Sequence, residues 1–555
     1  MNKPWLKTYP PGTPETIDIS ARSSLLDMYD EAVGEFNDKP AFINMGEQIT
    51  YKDLAANVRD IGAWLQNAGL DKGDRIAIMM PNCLQYPMVL FGAMSAGLTI
   101  VNTNPLYTPR ELRHQLQDSG ATAIVIIENF CHVLEEVIAD TEIKTVITTR
   151  LGDQLSPLKG LIVNAVVKYV KKMVPAFNLP GAISLNQVIT DGKRMTLNRP
   201  ELNHDDIAFL QYTGGTTGVA KGAMLLHRNM LSNLAQVDAW LPSEKIVRGE
   251  ETIVTALPMY HIFALTANVL TFMSLGANNL LITNPRDIPL FVKTLQKTPF
   301  TVMTGVNTLF NALLNNEDFC AMDFSQFKLG FGGGMAVQRT VAERWKQVTN
   351  TDLAEAYGLT ETSPAAVINI LEGQEWMGSI GLPIPSTECA IRDAEGNDLP
   401  VGEEGELCIR GPQVMAGYWQ RPEATAESID AEGWFKTGDV ARMDEQGYLY
   451  IVDRLKDMIL VSGFNVYPNE VEDVVALHEG VLEVAAIASP DEHSGEVVKI
   501  VVVKKDPALT EDDLHAHCKE NLTGYKRPKI IAFMDELPKT NVGKILRREL
   551  REQGD

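Results

Sequence analysis

Residues 212–225 have the sequence YTGGTTGVAKGAML, which combines glycine and threonine with a single lysine, Lys221. Glycine frees the backbone for tight turns, and successive N–H groups in such a turn form an anion-binding nest. Threonine hydroxyls add hydrogen-bond donors, and the lysine adds a positive charge. The segment therefore suits the β- and γ-phosphates of ATP, although a turn of this composition can also be purely structural.

The segment does not fit the Walker A pattern G-x-x-x-x-G-K-[ST]. Lys221 is preceded by Ala220 and followed by Gly222, so the pattern fails on both sides of the lysine. This mismatch disfavours a P-loop NTPase.

Bulk composition narrows the class of protein. The 555-residue chain is 45% hydrophobic and 22% charged, which is ordinary for a globular protein with more than one domain. Its net charge of −23 argues against nucleic acid as a partner, because phosphate backbones need a basic surface. The six cysteines lack metal-ligand or CxxC spacing, and we find no signal-peptide pattern and no apolar run long enough to span a bilayer. These features predict a cytoplasmic protein.

Short apolar runs alternate with helical patterns through most of the chain. Strands are predicted at 75–80, 121–127, 145–148, 208–213, 252–258 and 278–283, and helices at 86–96, 110–118 and 288–297. This alternation predicts βαβ units, in which parallel sheets carry helices on their faces.

The predicted pattern of strands and helices changes toward the C-terminus. Short strands with Gly/Asp turns predict a β-rich region over about 376–453, and a new strand and helix pattern predicts a small α+β domain over 454–555. The predicted fold class is therefore α/β, with a large domain over 1–453 and a boundary near Asp453 and Arg454.

Residues 158–174, LKGLIVNAVVKYVKKMV, contain four lysines and no acidic residue. On a helix, Asn164, Lys168, Lys171 and Lys172 fall on one side and the apolar residues on the other. A basic amphipathic helix can lie on an anionic membrane surface. The alternative, which is favoured on general grounds, is a surface helix whose apolar stripe faces the protein core.

Five motifs occur in one order along the chain: YTGGTTGVAKGA, YGLTET (357–362), GWFKTGD (433–439), DRLKDMILVSGFNVYPNEVE (453–472) and LPKTNVGKILRREL (537–550). Together they resemble the adenylate-forming superfamily, which contains acyl-CoA synthetases, firefly luciferases and the adenylation domains of peptide synthetases. GDQLSPLKG, NPLYTPREL, PMYHIFALT and GVNTLFNALLNN are similar to bacterial long-chain fatty-acid–CoA ligases in particular. The resemblance covers nearly the whole chain.

The resemblance implies that a fatty acid and ATP give an acyl-adenylate and pyrophosphate, after which coenzyme A gives acyl-CoA and AMP. Glu361 and Thr217 match the Mg²⁺ site, and hard oxygen ligands suit that ion. Thr360 matches a contact to the α-phosphate, and Asp439 with Arg454 matches the pair that holds the ribose hydroxyls. The other implied cofactor-binding residues are Tyr212, Thr213, Gly214, Gly215, Thr216, Gly218, Val219, Ala220, Lys221, Gly222, Ala223, Gly333, Gly334, Tyr357, Gly358 and Lys456.

Lys544 matches the family's catalytic lysine, which stabilises charge between the attacking carboxylate and the α-phosphate. It lies in the small domain, so the two domains must close for the first half-reaction and the small domain is implied to be mobile. Asp453 matches the hinge position. Gly463, Phe464 and Asn465 match the strand that replaces Lys544 and lines the channel for the pantetheine arm of coenzyme A.

His261, in PMYHIFALT, matches a motif that borders the acyl pocket, where it would act in positioning. A lone histidine among apolar residues is more often a packed core group. Residues 302–314 are predicted to form a wall of this pocket, with Val306, Thr308, Leu309, Ala312 and Leu313 suitable in type. Trp376 and Met377 are candidates for its entrance or rear.

Three classes of function stay open at this point. The favoured one is a long-chain acyl-CoA synthetase, with a medium-chain ligase as a variant. The second is an adenylating enzyme that loads a separate carrier protein; a luciferase-type oxygenase shares the same first half-reaction and is separated from the favoured class only by the subgroup resemblance. The third is a nucleotide-binding scaffold or a fatty-acid carrier, which Lys544, Glu361 and Asp439 argue against. Family members are often dimers, so a homodimer is also implied.

Overall fold

The structure is a computed structural model that describes residues 3–213, 220–371, 373, 376–462, 464–491, 493–540 and 543–552. The strands are β1 Pro40–Asn44, β2 Glu47–Thr50, β3 Arg75–Met79, β4 Thr99–Asn102, β5 Ala123–Ile127, β6 Thr145–Thr149, β7 Ile183–Ser184, β8 Ile207–Thr213, β9 Lys221–Leu226, β10 Thr252–Thr255, β11 Asn278–Leu281, β12 Val302–Gly305, β13 Leu329–Gly333, β14 Leu353–Gly358, β15 Ala365–Ile368, β16 Leu382–Pro383, β17 Glu388–Arg392, β18 Gly405–Arg410, β19 Phe435–Met443, β20 Leu449–Arg454, β21 Ile459–Val461, β22 Phe464–Val466, β23 Val481–Asp491, β24 Gly495–Lys504 and β25 Ile530–Met534.

The α-helices are α1 Leu25–Phe36, α2 Tyr51–Asn67, α3 Gln85–Ser95, α4 Pro109–Ser119, α5 Cys131–Glu135, α6 Pro157–Ala165, α7 Leu185–Gly192, α8 His227–Trp240, α9 Phe272–Ser274, α10 Ile288–Leu295, α11 Asn307–Leu314, α12 Glu317–Cys320, α13 Arg339–Thr349, α14 Pro422–Ser428, α15 Pro468–Ala476, α16 Glu511–Asn521 and α17 Arg547–Glu552. Two π-helical segments, Val166–Val170 and Ala264–Thr271, continue from neighbouring helical turns.

Two large sheets form the first part of the chain. One has the order β7-β6-β5-β3-β4-β8-β9 and the other β16-β15-β14-β13-β12-β10-β11-β1-β2. Their central strands are parallel, whereas β9, β2, β15 and β16 join antiparallel at the edges. The predicted strands and helices in this region are all present, with ends that differ by at most three residues. The α/β fold class is therefore confirmed.

Helix α3 shows how sequence places an element in the core. Its sequence QYPMVLFGAMS has no polar face, and every residue of the helix is buried. A helix that is apolar all round belongs between other layers. It crosses α2 closely, because a Cβ on Gly92 would lie only 2.7 Å from Ile61 Cγ2. Glycine at this crossing lets the two helix backbones approach.

Two further sheets follow in the chain. β17, β18, β19 and β20 form an antiparallel sheet, as the β-rich texture predicted. β22, β21, β24 and β23, with β25 beside β24, form the sheet of the C-terminal part. Strand β20 carries both Asp453 and Arg454, the residues at the predicted domain boundary.

Helix α6 and the turn that follows it overturn the interpretation favoured for 158–174. Val163 packs against the core, but seven other apolar side chains face solvent, with exposed fractions between 37% and 73%. We name these seven, Leu158, Leu161, Ile162, Val166, Tyr169, Val170 and Met173, the apolar stripe. Of the predicted polar side, Asn164 faces the protein, since it donates to Asp153 at 3.0 Å and accepts from the Gly152 N–H at 2.8 Å, whereas Lys168, Lys171 and Lys172 are exposed.

Gly160 and Gly152 explain this orientation. A Cβ on Gly160 would lie 2.3 Å from the Gly152 carbonyl oxygen, so the helix backbone lies directly against the preceding loop. A larger side chain at either position would lift the helix off the protein. Within the described residues, no helix has the length and apolar character needed to cross a membrane.

Candidate active site

A cavity lies where β13 and β14 end and where the turn that carries Lys544 meets them. β13 and β14 are parallel neighbours, so their carboxyl ends share one sheet edge. The lining of the cavity includes seven residues predicted from the sequence: His261, Gly333, Gly334, Tyr357, Gly358, Thr360 and Lys544. The structure thus brings these seven residues together.

Lys544 reaches this cavity from the C-terminal part of the chain. Its turn is held by the Thr540 N–H, which donates to the Lys544 carbonyl at 2.7 Å, and by the Lys544 N–H, which donates to Thr540 Oγ1 at 3.1 Å. A Cβ on Gly334 would lie 3.5 Å from Lys544 Cε. Burial, reinforced by the positive charge of Arg454, lowers the pKa of the Lys544 ammonium to about 8, against the pull of Asp439 and Glu361.

Glu361 is buried, and its environment was only partly visible in the sequence. Tyr418 donates a hydrogen bond to Glu361 Oε1 at 2.7 Å. Burial raises the pKa of the Glu361 carboxyl above its ordinary value, whereas the Tyr418 hydroxyl opposes this rise. The Lys221 ammonium lies 5.0 Å from the centre of the Tyr418 ring. Tyr418 therefore connects two predicted site residues, although no sequence signal singled it out.

Tyr357, Asp439 and Arg454 form one hydrogen-bonded group. Tyr357 donates to Asp439 Oδ2 at 2.6 Å, and Arg454 Nε lies 3.1 Å from Asp439 Oδ1. Asp439 faces Arg454 across the β19–β20 pair, so the sheet itself sets their spacing. Lys456 follows two residues later and contributes positive potential at Lys544.

His261 lines the cavity, as the resemblance implied. Burial, with a smaller contribution from the Lys544 charge, lowers the pKa of its imidazole to about 3. The Phe263 N–H donates to His261 Nδ1 at 3.3 Å. The ring is therefore neutral at ordinary pH, and the proton belongs on Nε2.

Much of the remaining lining of the cavity is apolar. It includes Val237, Leu241, Phe272, Phe331 and Ile368. Asn233, Val237 and Leu241 repeat every four residues along α8 and just beyond, which is the spacing of one helix face. That spacing is a signal in the sequence, but it does not reveal that the face borders a cavity.

Of the predicted acyl wall at 302–314, Thr304 lines the cavity. Val306, Thr308, Leu309, Ala312 and Leu313 are not among its lining residues, so their place in an acyl wall stays a prediction. Leu313 is fully buried in the core cluster that contains Phe310 and Trp345, because α11 turns its apolar face toward the sheet. Trp376 also packs beside this cluster and donates to the Val337 carbonyl at 3.1 Å.

Of the glycine- and threonine-rich segment 212–225, the structure describes the two ends, residues 212–213 and 220–225. Thr213 pairs with Lys221 in the β8–β9 hairpin, and Ala223 pairs with Tyr418. Tyr212 instead donates to Asp118 at 2.8 Å, and its ring packs 3.1 Å from the Cβ position of Gly222. The predicted residues Gly214, Gly215, Thr216, Thr217, Gly218 and Val219 lie outside the described residues, as does Gly463.

Phe464 and Asn465 are not brought to the cavity. They belong to β22, and the exposed Phe464 ring stacks on Tyr525 with centroids 4.9 Å apart. Asp453 is fully buried, and its carboxylate accepts the Arg454 N–H at 2.6 Å and the Asn469 N–H at 2.9 Å. Burial raises the pKa of the Asp453 carboxyl to about 6.

Comparison with known proteins identifies the family. The chain matches the model of the AMP-binding enzyme over residues 29–419 and that of the AMP-binding enzyme C-terminal domain over 470–544. A long-chain-fatty-acid–CoA ligase of Escherichia coli O6:H1 is 59% identical across 100% of this chain and 98% of that protein. A ligase with the same name from Bacillus subtilis is 36% identical across 99% and 98% of the two chains.

Among solved structures, ATP-bound MatB from Rhodopseudomonas palustris matches with a TM-score of 0.78 at 26% identity, over 96% of this chain and 99% of that one. The family models, the relatives and the fold therefore agree with the resemblance seen in the motifs. The chain belongs to the AMP-binding enzyme family.

Proposed function

We propose that this chain is an ATP-dependent ligase that joins long-chain fatty acids to coenzyme A through an acyl-adenylate. The observation that carries the proposal is that one cavity is lined both by Lys544 and by a set of apolar side chains. An apolar chain needs such a wall, and a carboxylate beside the ammonium is placed for reaction. The 59% identical relative carries the same activity in its name.

The first half-reaction joins two anions, so it depends on positive charge. The fatty-acid carboxylate oxygen forms a bond to the α-phosphorus of ATP, and the bond from that phosphorus to pyrophosphate breaks. Lys544 would offset the charge that gathers at the reacting oxygens, since a preplaced cation in a buried site acts strongly. In the second half-reaction the thiol sulfur of coenzyme A bonds to the acyl carbon, and AMP leaves with the bonding electrons.

Glu361 and Thr217 are the proposed Mg²⁺ ligands. The Glu361 carboxylate fits this role chemically, because it is a hard oxygen donor whose second oxygen, Oε1, is already held by Tyr418. When bound, the ion supplies charge neutralisation at the phosphates. Asp439 and Arg454 are proposed to hold the ribose hydroxyls, since a carboxylate and a guanidinium suit a vicinal diol.

Coenzyme A is proposed to meet a different arrangement of the small domain. Phe464 and Asn465 lie away from the cavity while Lys544 occupies it. Rotation about Asp453 would exchange the two, which is the alternation that the family resemblance implies.

The first prediction concerns the substrate. Purified protein with ATP and Mg²⁺ should release AMP only with a fatty acid, and coenzyme A should accelerate the release most for long chains between C6 and C18. AMP release and acyl-CoA formation would be measured in parallel. Pyrophosphate release that does not depend on coenzyme A would contradict the proposal and point to a carrier protein as the acyl acceptor. An activity optimum at short chains would favour a medium-chain ligase.

The second prediction follows from the lowered pKa of Lys544. Its ammonium is present below about pH 8 and is lost as the pH rises through that value. The kcat/KM of acid-dependent ATP–pyrophosphate exchange should therefore fall above about pH 8, because this parameter reports ionisations of the free enzyme. Lys544→Arg, which keeps its charge, should be slower but should show no fall at that pH.

The predicted fall in kcat/KM above about pH 8 cannot come from unfolding that is coupled to deprotonation of Lys544. Between about pH 8 and 10.5 the unfolded chain holds a proton on Lys544 that the folded chain has released, so this group favours folding as pH rises. A profile that stays flat to pH 10 in the native enzyme would contradict the assigned role.

The third prediction concerns the metal. Glu361→Gln keeps the shape of the side chain but removes its charge, so the Mg²⁺ concentration for half-maximal ATP–pyrophosphate exchange should rise at least about tenfold. Direct titration with Mn²⁺ in the presence of ATP provides a readout that needs no turnover. Glu343→Gln, on the exposed face of α13, is the matched control and should leave both values unchanged. An unaltered Mg²⁺ requirement in Glu361→Gln would remove Glu361 from the metal site.

We further propose that the apolar stripe lies on an anionic membrane surface. Its seven side chains are exposed, and exposed apolar groups in a continuous row are unusual on a protein that meets only water. Lys168, Lys171 and Lys172 are exposed beside it, on a chain whose overall net charge is −23. Positive charge next to an apolar row matches anionic lipid headgroups above acyl chains.

The fourth prediction tests this surface. The double variant Leu161→Asp, Tyr169→Asp should lose at least about tenfold of its affinity for vesicles that contain phosphatidylglycerol, because negative charges replace exposed apolar groups that are proposed to enter the lipid. Co-sedimentation provides the measurement. Leu290→Asp is the matched control, since Leu290 is 57% exposed on α10, outside the stripe. Equal sedimentation of both variants, or a dimer in light scattering that the double variant alone loses, would contradict a lipid surface.

A further inference from the structure

Helix α11, which the sequence assigned to the acyl wall, instead contacts the C-terminal part of the chain. Thr308 Oγ1 donates to the Gly543 carbonyl at 3.2 Å, and Asn311 Nδ2 donates to the Leu482 carbonyl at 3.3 Å. Residues three apart share one helix face, so both side chains point the same way. The two acceptors are backbone carbonyls on different segments of the C-terminal part.

Gly543 makes the approach to α11 possible. Its φ is +83°, and a Cβ there would lie 2.8 Å from Thr308 Oγ1 and 2.9 Å from Val306 Cγ2. Any other residue would therefore separate the turn from the helix. The next residue is Lys544, so the position of Gly543 against α11 sets how far the ammonium reaches into the cavity.

Both contact points belong to well-packed parts of the protein. Leu482 and Ile545 pack on the same small core as Leu537, and Lys539 bonds both carboxylate oxygens of Glu483 at 2.7 and 2.8 Å. On the other side, Phe310 of α11 packs edge-on against Trp345 with centroids 4.8 Å apart. The two hydrogen bonds therefore join two surfaces that are each supported by core packing.

We propose that Thr308 and Asn311 are positioning residues that hold the Lys544 turn in place for adenylation and release it for the attack of coenzyme A. The proposal rests on the proposed function, because it assigns the contact to one half-reaction. Neither side chain touches the cavity, so each acts through the turn. A displacement of about 1 Å at a reacting group can cost about a hundredfold in rate, which makes a weak positional contact consequential.

The test separates the half-reactions. Thr308→Val keeps the side-chain shape and removes the donor, so acid-dependent ATP–pyrophosphate exchange should fall about threefold to tenfold, as expected for one net hydrogen bond. Conversion of supplied acyl-adenylate to acyl-CoA should be unchanged. Thr308→Ser keeps the donor and should restore exchange, and adding Asn311→Ala to Thr308→Val should deepen the loss.

Matched controls come from two other helices, α10 and α2. Thr294→Val and Asn57→Ala remove side-chain bonds to backbone carbonyls within α10 and α2, away from the C-terminal part. They should leave both half-reactions unchanged. Normal ATP–pyrophosphate exchange in Thr308→Val, or an equal fall in the rates of both half-reactions, would overturn the proposal.

A substrate-free measurement separates this proposal from the proposed function. In hydrogen–deuterium exchange, peptides covering 543–552 should exchange faster in Thr308→Val than in the wild-type chain or in Thr308→Ser. Unchanged hydrogen–deuterium exchange in Thr308→Val would overturn the contact whatever the substrate is. Faster hydrogen–deuterium exchange in a protein that turns over no fatty acid would uphold the contact and refute the fatty-acid ligase.

Discussion

The buried ammonium of Lys544 is the constraint on which the arrangement of the site depends. Removing a lysine from water disfavours its charged form, and here the surroundings leave its pKa at about 8 and not far lower. Asp439 and Glu361 supply the compensating negative potential, while Arg454 and Lys456 oppose it. The ammonium is thus kept charged near neutral pH by groups that lie on a different part of the chain. The site is complete only when both parts meet.

Two sheets place the groups that meet Lys544. Asp439 and Arg454 face each other across β19 and β20, and Tyr357 at the end of β14 donates to the same carboxylate. Glu361 follows shortly after β14 and is held by Tyr418. Each group is therefore fixed by strand pairing or by a buried hydrogen bond, which limits the reorganisation needed when charge develops.

Much of this was predictable from the sequence, for a physical reason. The carboxyl ends of parallel strands share an edge, so motifs that follow β13 and β14 must lie near each other, and the cavity residues confirm it. Tyr418 was missed because its bond to Glu361 spans 57 positions and leaves no local pattern. For α6, the amphipathic pattern correctly gave two faces but not what each would meet, and for α11 the residue types alone did not orient the helix. The apolar face of α11 meets the core, whereas that of α6 meets solvent.

Strand β9 has a wider consequence than its short length suggests. It begins at Lys221, which pairs with Thr213, and at Ala223 it pairs with Tyr418, whose hydroxyl holds Glu361. Leu225, two residues beyond Ala223 on the same face of the strand, is fully buried in the core. Strand β9 therefore links packing in the core to both Lys221 and Glu361, two residues of the proposed phosphate and Mg²⁺ site. Under the proposed function, apolar substitutions around Leu225 change nucleotide affinity without touching the nucleotide.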